Sequence, residues 1–272
     1  MIKVCQNLHT HTKYCDGNNT VEEMVISAVN KGMTSIGFSG HALTPHDTSY
    51  CMSYENTFKY ADDVIRIREK YKDSIKVYLG LEQDYYSVKP EIKCDYLIGS
   101  VHYVLKDGSY TPVDETKEDI LLAVEKLYGG DIYSFLENYY SIVSDLYNKT
   151  CCDIVGHFDL PEKFNADNKL FDRENQRYVK AYQYAADVLI SQGVIFEINT
   201  GGMCKGYTNN PYPHSNILKY IACKNGKITV SSDSHTSSTV DYMLNEMCTY
   251  SKDCGFNKIY FFNGNGFESI NL

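Results

Sequence analysis

Short apolar runs alternate with longer amphipathic stretches along this 272-residue chain. The short runs, at residues 2–8, 35–39, 77–81, 96–100, 153–155, 194–198, 228–231 and 258–262, predict buried strands. A capping box, Thr20-Val21-Glu22-Glu23, opens a helix that ends near Gly32. Residues 56–71, 118–127, 132–147, 172–192, 215–224 and 238–252 also carry helical periodicity. Strands alternating with helices imply parallel βαβ units. Seven or eight such units fit a closed barrel inside a ring of helices. An open doubly wound sheet is the alternative, and strand count alone does not separate the two.

Composition narrows the class. With 43% hydrophobic residues and no linker-like or low-complexity stretch, residues 1–272 read as a single domain with one substantial core. The net charge of -9 argues against nucleic acid as a partner. It leaves room for an anionic substrate, because bound cations invert the local field. The N-terminus runs straight into a predicted strand, and no apolar run is long enough to span a bilayer. A cytoplasmic protein is expected, with no membrane partner. The ten cysteines are irregularly spaced and read as reduced thiols, mostly filling the core.

The residues that follow the strands carry the chemistry. Predicted strands end in Leu8-His9-Thr10-His11, Ser39-Gly40-His41, Leu81-Glu82, Ser100-Val101-His102, Gly156-His157 and Ser232-Asp233-Ser234-His235. Six of the eight histidines therefore lie just past the C-terminal end of a strand. Alone, each has an ordinary explanation as a capping or solvated loop residue. Together they would converge, because the strand ends of a parallel barrel share one face. Imidazoles and carboxylates suit zinc, manganese or iron, and one carboxylate can bridge two ions. His46 and His214 lie outside the pattern and are taken as non-ligands.

These motifs, in this order, resemble the polymerase-and-histidinol-phosphatase (PHP) family. The resemblance rests on His9-Thr10-His11-Thr12 with Cys15-Asp16-Gly17, Gly40-His41, Gly80-Leu81-Glu82 and Gly99-Ser100-Val101-His102-Tyr103, then on Gly156-His157-Phe158-Asp159-Leu160 and Asp233-Ser234-His235. Within the family the chain is similar to the stand-alone histidinol-phosphatase branch, through Glu197-Ile198-Asn199-Thr200 and the segment from Gly206-Tyr207 to Pro211-Tyr212-Pro213. The resemblance implies a distorted, TIM-like (β/α)7 barrel with three divalent ions. His9, His11, Glu82 and Asp233 would hold the first. Glu82, His102 and His157 would hold the second, and Asp16, His41 and His235 the third. Asp16 stands one position before the place where many relatives have a histidine, here Gly17.

The implied activity is hydrolysis of L-histidinol phosphate, a small phosphate monoester. Glu82, Asp233 and His235 are the candidate catalytic residues. Relatives grip the phosphate with two arginines, and the nearest cations here are Lys163 and Lys205. Lysine offers a point charge without the bidentate fork of arginine. That departure keeps another small phosphoester or a nucleotide end open as the substrate, and a non-catalytic metal-binding protein as a further alternative. Tyr103 and Glu115 are candidates for the organic part of the substrate by position.

Overall fold

A computed structural model describes residues 6–272. Its strands are β1 (Gln6–Asn7), β2 (Ser35–Phe38), β3 (Lys76–Asp84), β4 (Tyr96–Ser100), β5 (Tyr103–Lys106), β6 (Ser109–Pro112), β7 (Ile154–Val155), β8 (Ile195–Asn199), β9 (Lys227–Ser231), β10 (Lys258–Phe262) and β11 (Phe267–Asn271). Among the described residues seven parallel strands form one sheet in the order β1-β2-β3-β4-β7-β8-β9. The sheet curls until its edges meet at the C-terminal end. There Thr10 bridges Ser234, the His11 N–H donates to the Ser234 carbonyl (2.8 Å), and the Ser234 N–H donates to the His9 carbonyl (3.2 Å). The closed barrel holds, and the open sheet is excluded.

The helices are α1 (Val21–Asn30), α2 (Tyr54–Tyr71), α3 (Lys117–Leu127), α4 (Ile132–Ser144), α5 (Leu146–Thr150), α6 (Gln176–Ser191), α7 (Gly201–Cys204), α8 (Ser215–Cys223) and α9 (Leu244–Asp253). Thr20 and Glu23 form the expected capping box. The stretch expected as one helix over 132–147 is two, divided at Asp145. No described helix is long and apolar enough to cross a membrane. The cysteine expectation needs correction: the nine described cysteines are free, but only Cys152, Cys248 and Cys254 are buried.

Strand alternation sorts the core into two shells. Val77, Leu79 and Leu81 of β3, Phe196 and Ile198 of β8, and Ile228 and Val230 of β9 face the helices. Tyr78, Tyr96, Ile98, Ile154 and Ile195 belong to a separate inner cluster with Leu8. Tyr96 fills the barrel centre, where its hydroxyl donates to the Leu8 carbonyl and, at 3.2 Å, to that of Phe38. A Cβ on Gly80 would lie 2.4 Å from its ring, so that position accepts only glycine.

The eighth apolar run is not a barrel strand. Residues 258–262 form β10, which pairs antiparallel with β11. Phe262 lies against Tyr78 and Tyr96, with ring centroids 4.9 and 5.8 Å apart. The Gln6 side chain donates to the Phe262 carbonyl and accepts from its N–H (2.8 and 2.9 Å). The run is apolar because it covers the N-terminal end of the barrel, leaving the C-terminal end as the open face.

Candidate metal centre

The open face is built by the upper, inward positions of the strands. In β3 the inward series Tyr78, Gly80, Glu82, Asp84 changes from apolar to acidic as it climbs. In β8 the series Ile195, Glu197, Asn199 changes from apolar to polar in the same direction. Glu82 is 1% exposed and sits at the centre. Its Oε2 lies 3.1 Å from His9 Nε2, 3.5 Å from His11 Nε2 and 3.0 Å from His41 Nδ1. Its Oε1 accepts from His157 Nε2 (2.9 Å) and from the Ser100 hydroxyl (2.6 Å), and lies 3.5 Å from His102 Nε2. Five imidazoles from four chain segments thus surround one carboxylate.

Two further carboxylates extend the cluster. Asp233 Oδ1 lies 3.1 Å from His11 Nε2 and 3.6 Å from His9 Nε2. Its backbone is left-handed (φ 48°), a conformation that a non-glycine residue adopts only where its surroundings impose it. Asp16 Oδ2 lies 3.0 Å from His235 Nε2, and its Oδ1 lies 3.6 Å from His11 Nδ1 and 3.7 Å from His41 Nε2. A Cβ on Gly17 would fall 2.5 Å from the Thr12 nitrogen, so the 12–17 turn excludes a side chain there and presents Asp16 instead.

The charges are strongly coupled. Burial pushes the Glu82 carboxyl up, but the charges of His9 and His41 and the close approach of the His157 and His41 rings hold it well below the usual carboxylate range. Asp233 and Asp16 are likewise held down by the imidazoles against their burial. His9, His41, His102 and His235 are raised, because the carboxylates outweigh their burial. His11 is the exception. Burial and the neighbouring charges of His235 and His41 push it down to about 3. Its ring stacks on His235 with centroids 4.1 Å apart.

A cation fits this arrangement. His9 Nε2, His11 Nε2 and Glu82 Oε2 are buried without a hydrogen-bond partner, and all three face one another. Orphaned buried polar atoms are costly, and a shared ion satisfies them together. Donors about 2.1 Å from one ion sit roughly 3–3.5 Å apart, which matches the separations here. Among the described residues three overlapping groups have converging donor atoms: His11, Asp16, His41 and His235; His9, His11 and Asp233; and His41, Glu82 and His102.

All nine residues expected as ligands therefore meet. The grouping differs from the expected one: His41 faces Glu82 with Nδ1 and Asp16 with Nε2 and so stands between two groups, His11 is shared by the Asp16 and Asp233 groups, and His157 meets the cluster at Glu82 Oε1, outside all three groups. His46 and His214 stay outside: His46 stacks on Tyr110 at 3.8 Å, and His214 caps α8.

Above the cluster lies a cavity of about 350 Å³. Tyr50, Tyr103, Asp114, Glu115, Lys163 and Lys205 line its walls. The Tyr103 hydroxyl donates to Asp47 (2.5 Å), so this residue offers the cavity its ring. Lys163 donates to the Asp114 carbonyl and lies 4.4 Å over the Tyr207 ring. Lys205 forms no ion pair among the described residues, and its charge acts on Asp233 and His235. Glu197, Asp84, Asp114 and Tyr50 are site residues that sequence reasoning missed. The acidic inward positions of β3 and β8 were the available signal.

Comparison with known proteins agrees with this geometry. The family model described as PHP domain matches residues 7–201. A Schizosaccharomyces pombe protein named probable histidinol-phosphatase is 26% identical over 92% of this chain and 87% of its own length. The histidinol-phosphatase of Bacillus subtilis is 25% identical over 86% of this chain and 94% of its own. The crystal structure of histidinol phosphate phosphatase from Lactococcus lactis, complexed with zinc, L-histidinol and phosphate, shares the fold. Its TM-score is 0.72 at 19% identity, covering 97% of this chain and 99% of that one.

Proposed function

The chain belongs to the PHP family, and from that premise we propose that it is a metal-dependent phosphomonoesterase that converts L-histidinol phosphate to L-histidinol and phosphate. One observation carries the reading: nine ligand-type side chains, drawn from the C-terminal ends of the barrel strands and the 12–17 turn, cluster beneath a single open cavity, and seven of them line it. Curated relatives named histidinol-phosphatase along nearly their whole length support the substrate. So does the zinc, L-histidinol and phosphate bound by the L. lactis protein.

His9, His11, Glu82 and Asp233 would hold one divalent ion, Glu82, His102 and His157 a second, and Asp16, His41 and His235 a third. Zinc, manganese and iron all suit these donors. Such ions supply a nucleophile at neutral pH and neutralise charge on the phosphoryl oxygens. The chain's own residues do the rest. Lys205 reaches toward the phosphate with an uncommitted ammonium. Asp114 and Glu115 give the cavity lining an acidic character that suits the amine and imidazole of the substrate. When the phosphorus–oxygen ester bond breaks, the leaving alkoxide must gain a proton. The attacking water releases one, and Asp233 and His235, each 15% exposed at the cavity floor, are the side chains proposed to carry it. The whole chain, residues 1–272, acts as one unit in this reading.

Purified protein supplied with zinc or manganese is expected to release phosphate from L-histidinol phosphate. A chelator abolishes the activity, and Glu82→Ala lowers it by at least about a hundredfold. Activity that survives both metal removal and Glu82→Ala overturns the mechanism. The two lysines favour one second reading, a different small phosphoester as the substrate. A panel of sugar, nucleotide and amino-alcohol phosphates separates the two by kcat/KM.

A further inference from the structure

Glu197 lies in the middle of β8, faces the barrel interior and is fully buried. Its carboxylate has four donors and no lysine or arginine among them. Oε1 accepts from His9 Nδ1 (2.6 Å) and from the Ser231 hydroxyl. Oε2 accepts from the His157 N–H and the Asn199 amide, both at 2.9 Å. An apolar side chain would fill a barrel interior at lower cost than a buried ion. A charge kept here under full desolvation calls for a reason beyond packing.

The reason lies in the His9 ring. A carboxylate accepts only, so the nitrogen facing Glu197 must carry the proton. Nδ1 is thereby committed to Glu197. The other nitrogen, Nε2, is the one that lacks a partner and points at Glu82 and Asp233. The same carboxylate reaches the second acidic ligand through Asn199, whose amide donates to Glu197 and, at 3.3 Å, to Asp233 Oδ2. His102 has a similar partner, since its Nδ1 lies 3.3 Å from Asp84 Oδ2.

We propose that Glu197 is a positioning residue for the metal centre. It fixes the tautomer and ring plane of His9 so that Nε2 presents its lone pair to the ion, and it acts chiefly through His9. Carboxylate partners of this kind orient metal-binding imidazoles and raise their basicity, and their loss weakens metal binding by roughly 10- to 100-fold. The proposal rests on the metal-dependent reading above.

The test measures zinc affinity by competition with a chelator, for the intact chain and for Glu197→Gln, Glu197→Asp, His9→Ala and His9→Ala/Glu197→Gln. Folding of each is checked by circular dichroism. Glu197→Gln is expected to bind zinc about 10- to 100-fold more weakly, with part of the loss recovered in Glu197→Asp. In the His9→Ala background the Glu197→Gln effect shrinks, because the ring it acts through is gone. Nitrogen-15 spectra of the zinc-loaded wild type supply a readout that needs no variant: His9 shows a proton on Nδ1 and zinc on Nε2. Unchanged zinc affinity in Glu197→Gln, a full Glu197→Gln loss in the His9→Ala background, or zinc on His9 Nδ1 overturns the proposal. A wild-type chain that holds no zinc, manganese or iron overturns the metal-dependent reading itself, and this inference with it.

Discussion

Lys205 and Lys163 differ in what already holds them. Lys163 is engaged by the Asp114 carbonyl and the Tyr207 ring, while Lys205 carries its charge over Asp233 and His235 with no ion-pair partner among the described residues. A charge-assisted hydrogen bond to phosphate stabilises by about 1.5–3 kcal/mol. Lys205→Ala is therefore expected to raise KM for the phosphate ester about 10-fold or more, and Lys163→Ala to raise it less. Steady-state kinetics on the two variants check the difference, and equal effects contradict it. At this scale most of the candidate ligands were legible because they lie at or just past the end of a predicted strand, where one type of position recurs. Asp16 came as a candidate from the family resemblance alone, and the close fit of Gly17 against Thr12 explains why the neighbouring position carries no side chain. Glu197 was not read as a site residue because it sits within a strand, where a run of buried residues masks a single acidic position. Its place in the inward series with Ile195 and Asn199, opposite Phe196 and Ile198, was the signal.

Among the elements, the short 3-10 turn Leu160–Phe164 matters most for the site, since it brings Leu160 and Lys163 to the cavity wall. One buried ion pair holds it. Arg173 donates to both oxygens of Glu162 (2.9 and 3.1 Å from Nε, 2.6 Å from Nη2) and to the Asn165 carbonyl (2.8 Å). Glu162 is 6% exposed, so removing the arginine leaves a desolvated charge behind. Arg173→Ala is expected to cost about 3 kcal/mol, because breaking one side of a buried pair is far worse than replacing both. Thermal unfolding should show a lower Tm, and Arg173→Ala/Glu162→Gln should recover part of the loss. An unchanged Tm would show that the turn is held by other contacts. Element type was legible wherever the apolar period was long, as in α2 and α6. Two hairpins were not. The β5–β6 hairpin turns on Asp107-Gly108, both with positive φ, a two-residue signal too short to register against the helical and strand periods around it. The β10–β11 hairpin was hidden because β10 is apolar for a reason unrelated to barrel pairing.

For the whole molecule, strands alternating with helices narrowed the fold to a barrel or an open sheet, and the family resemblance, carried by the polar residues at one set of strand ends, implied the barrel. Closure itself depends on contacts between Thr10 and Ser234, which are 224 positions apart and carry no local sign. The acidic net charge fits a protein whose working face gathers Asp16, Glu82, Asp114, Glu115 and Asp233 around one opening, provided that cations share it. The most direct test is anomalous scattering at the zinc edge from crystals grown with zinc. Peaks are expected about 2.0–2.2 Å from the facing nitrogen and oxygen atoms of His9, Glu82, His102 and Asp233. A zinc-containing crystal with no peak among those side chains, or with those side chains spread apart, would contradict the account.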